Sequence, residues 1–250
     1  YTILITEDDD EVCGFLEREL SLHFKIRTAA NGKEALRVLE EEEISLVVSD
    51  VMMPEMNGFE LCRTIKSQLP FSHIPVILLT ALTDERQRIF GITGGADDYI
   101  QKPFHTDYVK IKIIHLLQER QKLRERLLEK LRDNKLLLSE PEKVESIDDA
   151  FLRKFAEQIE AVYADPEYNV EKLSETLGLS RGHLHRKIKE LTGTAPVEFL
   201  RTYRLNKATQ LLRQNAYTVS EVAYRTGFSS PAYFSKCFKA VYGVTPTEYQ

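Results

Sequence analysis

The chain has 250 residues, of which 42% are hydrophobic, so one or two folded domains with ordinary cores are expected. No apolar run approaches the roughly 20 residues that a membrane-spanning helix requires, which argues against membrane contact by this segment. The three cysteines, Cys13, Cys62 and Cys237, have no metal-binding spacing, so we expect reduced thiols and a cytoplasmic location. Because the sequence begins at Tyr1 rather than Met, we expect a piece of a longer polypeptide.

The formal net charge of −5 is unevenly distributed along the chain. Residues 1–150 carry 20 Lys and Arg against 29 Asp and Glu, a net charge of −9. Residues 151–250 carry 14 against 10, a net charge of +4, and the stretch from Arg181 to Arg213 has 8 basic residues against 2 acidic ones. This split predicts two domains with different partners, and the basic half is the candidate for binding nucleic acid.

Strand-like and helical runs alternate up to about residue 118. The strand-like runs are Ile3–Thr6, Phe24–Thr28, Ile44–Ser49, Val76–Thr80 and Asp98–Gln101. The amphipathic helical runs are Glu11–His23, Lys33–Glu42, Phe59–Leu69, Asp84–Thr93 and one that begins near Thr106. The alternation predicts an α/β doubly wound five-stranded parallel sheet, whose binding site lies at the carboxyl ends of the strands.

Polar side chains follow these strands at the edge where the binding site is expected. Glu7 and Asp8 follow the first strand, and Asp50 follows the third. Thr80 ends the fourth strand and Lys102 follows the fifth. Three carboxylates at one edge repel one another, and Mg²⁺, which prefers carboxylate oxygens and water, relieves that repulsion. Thr80 and Lys102 can then bind phosphoryl oxygens, while Asp50 acts as the nucleophile that forms an aspartyl phosphate.

Each of these residues also has an ordinary structural interpretation. Asp50 can be a turn former or a helix cap, and Lys102 can be a surface lysine. The acidic run from Glu7 to Glu11 can be a solvated turn that caps a helix. The predicted convergence of all of them at one sheet edge favours the phosphoryl-transfer site.

Four motifs carry a resemblance to a known family. They are Ile3-Leu-Ile-Thr-Glu-Asp8, Ser49-Asp-Val-Met-Met-Pro54, Leu78-Leu-Thr80-Ala81 and Gly95-Ala-Asp-Asp-Tyr99-Ile-Gln-Lys102-Pro-Phe104. On these motifs, residues 2–118 resemble a response-regulator receiver domain with a flavodoxin-like fold. The resemblance implies that Asp50 is the phosphoacceptor and that Asp8 and Asp50 bind Mg²⁺ directly. Glu7 would act mainly through water, and the Met52 backbone carbonyl would be a further ligand.

The same resemblance assigns roles around the phosphoryl group. Thr80 and Lys102 would contact it, and Tyr99 would be an aromatic switch that swings inward when Thr80 is drawn to the phosphate. The family pattern also implies a cis peptide bond between Lys102 and Pro103. Beyond self-phosphorylation, no enzymatic activity is expected of this chain.

Residues 106–138 form one long helix-like run, with apolar residues at steps of three and four. The run can be a lever or short coiled coil, or an amphipathic helix packed on its own domain. Pro141 ends it, and residues 139–148 are polar. We therefore predict domains at 1–118 and 149–250, joined by a helical connector and linker at 119–148.

The second half has only helical periodicity and contains an internal repeat. Corresponding positions are Gly178 and Gly227, Leu184 and Phe234, Gly193 and Gly243, and Pro196 and Pro246. Each copy combines a short helix, a glycine turn and a second helix, which is the helix-turn-helix pattern. The sequence therefore predicts an all-α double helix-turn-helix domain, with units at about 170–191 and 219–241.

Basic and polar residues on the second helix of each unit are candidates for contacting DNA. In the first unit they are Arg181, His185, Arg186 and Lys189, and in the second they are Ser230, Tyr233, Lys236 and Lys239. The intervening helix adds Arg201, Arg204 and Lys207, which can be phosphate contacts or only surface charge. A solvated basic face is the alternative for the whole set, and Leu184, Ile188, Leu191, Phe234 and Phe238 are predicted to be core.

The tail from Gly227-Phe-Ser-Ser-Pro-Ala-Tyr233 to Gly243-Val-Thr-Pro246-Thr-Glu-Tyr249 carries a second resemblance. On it, residues 150–250 resemble an AraC-type DNA-binding domain, two helix-turn-helix units on one linking helix. The base-reading positions of that family fall on Gly182, His185, Arg186, Ala232 and Lys236. Gly182 and Ala232 have no side chain long enough to contact a base, so recognition would depend more on His185, Arg186 and DNA shape.

Together the two resemblances imply a phosphorylation-regulated transcription factor, as in the C-terminal part of a hybrid two-component protein. The expected partners are double-stranded DNA, a histidine kinase domain on the same or another polypeptide, a second copy of the chain on activation, and RNA polymerase. By analogy, the target genes would serve carbohydrate use. The alternatives are a phosphotransfer protein or phosphate sink whose basic domain binds protein, and a constitutive DNA binder whose receiver does not gate.

Overall fold

The computed structural model describes residues 1–81, 95–132 and 146–250. The chain divides into two compact units, Tyr1–Lys122 and Leu123–Gln250. Within the described ranges, no helix has the length and apolar character needed to cross a membrane.

The first unit is a sheet with helices on both faces. Its strands are β1 (Thr2–Thr6), β2 (Lys25–Ala29), β3 (Leu46–Asp50), β4 (Val76–Thr80) and β5 (Asp98–Gln101). Its described helices are α1 (Asp10–Leu20), α2 (Gly32–Glu41), α3 (Gly58–Ser67) and α4 (Thr106–Arg132), the last of which continues past the end of the unit. The strand order is β2-β1-β3-β4-β5 and every pairing is parallel, which confirms the predicted doubly wound sheet.

Alternating side chains of the strands fill two separate cores. Leu4 and Val47 lie in a core with residues of α2 and α3. Ile5 and Val48 lie in the opposite core, with residues of α1 and α4 such as Leu16. Because both faces are covered, every residue of β3 is buried, and a strand of this kind reads as a continuous apolar run. The rigid β3 therefore fixes the position of Asp50 at its carboxyl end.

Two predicted helical segments extend beyond what the structure describes. The helix predicted for Asp84–Thr93 lies outside the described residues, and so do residues 133–138 of the long connector run. The other predicted elements are all present, with ends that differ by up to three residues.

Gly58 brings the start of α3 against the end of β3. A Cβ at this position would lie 2.1 Å from the backbone oxygen of Asp50 and 3.0 Å from the Cα of Val51. The Gly58 amide also donates to the Val51 carbonyl at 3.0 Å, which closes the loop. Only glycine fits here, and this packing sets the position of the Asp50 backbone.

Gly58→Ala is therefore expected to destabilise the first unit by about 1–3 kcal/mol, the usual cost of forcing extra volume into a packed site. Gly14→Ala is the matched control. Gly14 lies within α1 with no atom within 4 Å of its hypothetical Cβ, so alanine there should stabilise the helix by about 0.5–1 kcal/mol. Urea unfolding of the two variants measures both changes in unfolding free energy. Equal stabilities would contradict the close contact between Gly58 and the Asp50 backbone.

The second unit is helical. Its helices are α5 (Ile147–Val162), α6 (Val170–Leu177), α7 (Arg181–Thr192), α8 (Pro196–Arg213), α9 (Val219–Arg225), α10 (Pro231–Tyr242) and α11 (Pro246–Tyr249). The pairs α6–α7 and α9–α10 are the two helix-turn-helix units. Gly178 ends α6 in the left-handed conformation with φ +67°, and Gly227 in the second turn has φ +78°.

The predicted core residues of both helix-turn-helix units are buried. Leu184 and Ile188 are fully buried in α7, and Leu191 is 5% exposed. In α10, Phe234 and Phe238 are fully buried and their rings lie 5.6 Å apart. These positions are confirmed as core, which leaves the opposite faces of α7 and α10 to solvent.

Candidate functional site

Asp50 lies at the carboxyl end of β3 with its side chain almost fully buried. One carboxylate oxygen, Oδ2, accepts a hydrogen bond from the Met52 amide at 2.9 Å. The other, Oδ1, lies 2.6 Å from the Lys102 ammonium. Both contacts hold the carboxylate in one orientation, as a nucleophile requires.

Glu7 and Asp8 lie beside Asp50 because β1 and β3 are neighbours in the sheet. Glu7 is 4% exposed and its Oε2 atom accepts a hydrogen bond from Lys102 at 2.8 Å. Asp8 is exposed. One carboxylate oxygen from each of Glu7, Asp8 and Asp50 lies within 4.8 Å of the other two. Asp9, in contrast, caps α1 by accepting from the amides of Glu11 and Val12.

Burial and charge act in opposite directions at this cluster. Burial raises the pKa of the Glu7 carboxyl, and Asp50 adds to the effect, while the hydrogen bond from Lys102 opposes it. Burial alone would lower the pKa of Lys102, but its hydrogen bonds to Asp50 and Glu7 outweigh that and raise it. The Lys102 ammonium is thus the counter-charge that lets these carboxylates lie together.

This cluster fits Mg²⁺. Three carboxylates converge on one point, and the exposed side chain of Asp8 leaves the point open to water, which Mg²⁺ retains in its shell. Oxygen donors are the ligands that this hard cation prefers. The residues that would hold it are therefore Glu7, Asp8 and Asp50.

Thr80 and Lys102 flank the cluster from the next two strands. The Lys102 amide donates to the Thr80 carbonyl at 2.7 Å, which continues the pairing of β4 and β5 beyond the strand ends. The Lys102–Pro103 peptide bond is cis, as predicted. Tyr99 is half-buried and packs against the core that contains Cys62, and burial raises its pKa to about 12.

In the first helix-turn-helix unit, the predicted DNA-contacting residues lie on the solvent side of α7. Arg181, His185 and Lys189 are exposed, and Arg186 is half-buried. The guanidinium of Arg181 pairs with Glu171 of α6 at 2.7 Å. Because both partners are exposed, this pair contributes little stability.

In the second helix-turn-helix unit, three residues on α10 are exposed: Tyr233, Lys236 and Lys239. The Ser230 hydroxyl is the N-cap of α10 and accepts from the Tyr233 amide at 3.3 Å. Arg201 of α8 pairs with Glu198 at 3.1 Å, and a hydrogen bond with Tyr233 raises its pKa. Arg201 and Tyr233 therefore form one polar group that joins α8 to α10.

Comparisons with known proteins match each unit separately. The family model of the response regulator receiver domain matches residues 3–114, and a helix-turn-helix domain model matches residues 173–250. The chain is a response-regulator receiver domain joined to an AraC-type helix-turn-helix domain.

Two curated relatives and one solved structure illustrate the similarity. A protein named histidine kinase P4 from Formosa agariphila is 39% identical over 249 residues, which is 100% of this chain and 18% of that protein. The transcriptional regulatory protein GltR of Pseudomonas aeruginosa is 41% identical over 121 residues, 48% of this chain and 50% of that protein. The receiver domain of a signal transduction histidine kinase from Syntrophus aciditrophicus is 39% identical, with a TM-score of 0.46, over 47% of this chain and 90% of that structure.

This chain thus spans a minor part of the first relative and half of the second. Its receiver domain carries the Asp50 cluster, and its AraC-type domain carries the exposed basic residues of α7 and α10. These are the domain types of a two-component response regulator.

Three basic residues of the AraC-type domain have contacts that the sequence did not predict. Lys187 is fully buried and pairs with Asp148 at 2.6 Å. Arg204 donates to two backbone carbonyls, and Lys207 pairs with Glu160 at 2.8 Å. Of the three, only Lys187 had a signal in the sequence, because it falls at the core spacing of α7, three residues after Leu184 and four before Leu191.

Proposed function

We propose that this chain is a transcription factor whose binding to duplex DNA is controlled by phosphorylation of Asp50. One observation carries the proposal: a buried, oriented carboxylate with two acidic neighbours and a lysine lies in the same chain as two helix-turn-helix units. The second helices of those units expose basic residues. A chain with both features can take up a phosphoryl group and bind DNA.

In the proposed reaction an Asp50 carboxylate oxygen attacks the phosphorus of a phospho-histidine. An O–P bond forms, the N–P bond breaks, and the electron pair of that bond stays on the imidazole, which takes up a proton. Glu7, Asp8, Asp50 and the Met52 carbonyl would hold Mg²⁺, which would supply neutralising charge to the phosphoryl oxygens. Lys102 is near enough to Asp50 to transfer its ion pair to a phosphoryl oxygen.

Two further residues would convert phosphorylation into a change of surface. The Thr80 hydroxyl would bind the phosphoryl group, and Tyr99 would move with it. The changed face, which includes β5 and the start of α4, would bind a second copy of the chain. The helix predicted at 84–93, which the proposal also assigns to this face, lies outside the described residues. Dimerisation would then bring two AraC-type domains to adjacent half-sites on DNA.

The proposed DNA contacts lie on both recognition helices, α7 and α10, and on α8. They are Arg181, His185, Arg186, Lys189, Arg201, Ser230, Tyr233, Lys236 and Lys239. His185, Arg186 and Lys236 are the base-reading candidates, because they stand at reading positions of the family and have side chains long enough to reach a base edge. The others would contact phosphates, which position the protein without specifying sequence.

We further propose domain boundaries at 1–118, 119–148 and 149–250, with the helix-turn-helix units at about 170–191 and 219–241. The donor of the phosphoryl group would be a histidine kinase domain. It would lie either on the same polypeptide, as the name of the Formosa relative suggests, or on another. RNA polymerase is the proposed partner of the DNA-bound form, and genes for carbohydrate use are the proposed targets.

Selection from a random duplex pool tests the proposal, with and without Mg²⁺ and beryllofluoride, a mimic of the aspartyl phosphate. Paired repeats enriched only with the mimic are the expected result. Equal enrichment in both arms would indicate a DNA binder that the receiver does not gate. No enrichment in either arm would favour a phosphotransfer protein whose basic domain binds protein.

A further inference from the structure

Helix α5 contacts both helix-turn-helix units, one near each of its ends. It has 16 residues and is therefore about 24 Å long, at about 1.5 Å per residue. It precedes the first unit in sequence, so its packing on that unit is expected. Its contact with the turn of the second unit joins Tyr163 and Gly227, which are 64 residues apart in sequence.

At the first turn of α5, a buried ion pair holds α7. The Lys187 ammonium has no exposed surface, lies 2.6 Å from the Asp148 carboxylate and lies 5.1 Å from the centre of the Phe151 ring. A buried ammonium without such partners would be strongly unfavourable, so the pair fixes where α7 crosses α5. Ser146 caps the same turn, with Asp149 completing the capping box.

Just beyond the C-terminus of α5, one arginine binds two backbone carbonyls. Arg204 of α8 donates from Nε to the Tyr163 carbonyl at 2.8 Å and from Nη2 to the Asp165 carbonyl at 2.7 Å. The Tyr163 carbonyl follows the last turn of α5, where carbonyls have no partner within the helix. The Asp165 carbonyl also accepts from the Tyr168 amide at 3.3 Å, and the planar guanidinium reaches both carbonyls at once. This contact ties α5 to the helix that links the two units.

The turn of the second unit packs against the same carbonyl. A Cβ on Gly227 would lie 2.1 Å from the Tyr163 carbonyl oxygen and 2.8 Å from Nε of Arg204. Gly227 also has φ +78°, a conformation that favours glycine. The α9–α10 turn therefore contacts both the end of α5 and the guanidinium that binds it.

Further contacts join α5 to α8 along the same side. The Glu160 carboxylate accepts from the Tyr203 hydroxyl and pairs with Lys207 at 2.8 Å. The Lys207 ammonium also lies 5.4 Å from the ring centres of Tyr163 and Tyr203. The C-terminal half of α5 is thus fixed on α8 by several independent contacts.

We propose that α5 is a strut that fixes the distance and angle between the recognition helices α7 and α10, with Arg204 as the positioning residue. The proposal rests on the proposed function in DNA binding and adds a specificity to it. A rigid pair of recognition helices can bind two DNA subsites at only one spacing. Inserting one base pair between the subsites moves one of them by about 3.4 Å along the axis and rotates it about the duplex.

The test uses the full chain in Mg²⁺ and beryllofluoride and a duplex that it enriches from a random pool under those conditions. The same duplex with one base pair inserted between the two subsites is compared with it. For the unaltered chain, the insertion should weaken binding by about tenfold or more, whereas for Arg204→Gln it should cost less than about threefold. Arg204→Lys, which can reach one carbonyl, should fall between them. Arg213→Gln is the control and should match the unaltered chain, because Arg213 lies near the end of the same helix and contacts the Tyr249 side chain.

A second measurement is independent of DNA. Residual dipolar couplings of backbone amides report the relative orientation of α7 and α10, and in Arg204→Gln they should no longer fit a single orientation. An unchanged orientation together with an unchanged spacing preference would overturn the strut. A failure of the unaltered chain to bind any duplex would instead count against the proposed function, and the couplings would still decide whether Arg204 positions the two helices.

Discussion

Asp50→Asn is expected to reduce Mg²⁺-dependent phosphorylation of the chain by about a thousandfold or more, the scale of losing a covalent nucleophile. The amide has nearly the same shape as the carboxylate, so its oxygen can still accept from the Met52 amide, which Oδ2 does at 2.9 Å. The amide cannot attack phosphorus at a useful rate. The loss should therefore be chemical rather than a consequence of unfolding.

Acetyl phosphate is a suitable donor, with the phosphorylated form resolved on a phosphate-affinity gel. Asp107→Asn is the matched control, because Asp107 is exposed in the first turn of α4 and pairs locally, with Lys110 at 2.6 Å. It should be phosphorylated like the unaltered chain. Equal phosphorylation of Asp50→Asn and Asp107→Asn would mean that another residue accepts the phosphoryl group.

Phe234→Ala is expected to destabilise the second helix-turn-helix unit by about 3–5 kcal/mol, the usual cost of removing a buried phenyl ring. The Phe234 side chain is fully buried. Its ring packs edge-on against Phe228 at 5.2 Å and lies 5.6 Å from Phe238. The substitution would leave a cavity between α10 and the turn before it, and thermal unfolding followed by circular dichroism measures the loss.

Tyr233→Ala, one residue away, separates stability from binding. Tyr233 is 51% exposed, so its removal should change the unfolding free energy by less than about 1 kcal/mol. It should nevertheless weaken duplex binding, because it removes a side chain from the outer face of α10 and releases Arg201. Similar melting of the two variants would contradict the assignment of Phe234 to the core and Tyr233 to the surface.

The sheet and the cluster at its edge were predictable because both follow from local patterns. Continuous apolar runs mark strands that are buried on both faces, and parallel strands bring their carboxyl ends to one edge. Glu7 and Asp50 meet for that reason alone, although 43 residues separate them in sequence. The ends of elements were less predictable. The helical run predicted to reach His23 ends at Leu20, and Leu22, whose apolar character extended the pattern, is 76% exposed.

The contacts around α5 could not be predicted in the same way. Arg204 binds backbone carbonyls, which every residue has, so no sequence pattern marks its partners. Lys187 is a basic residue in a basic helix, and its burial depends on Asp148, 39 residues earlier. The Gly227 turn was recognised from the repeat, but not its packing on Tyr163. Tertiary contacts between distant segments decided all three.

The Asp50 cluster also has a simple electrical property. Three carboxylates and one ammonium carry a formal charge of −2 when all are ionised. A single divalent ion cancels that charge, whereas Na⁺ or K⁺ leaves half of it. By charge alone, this edge of the sheet therefore favours a divalent ion over Na⁺ or K⁺.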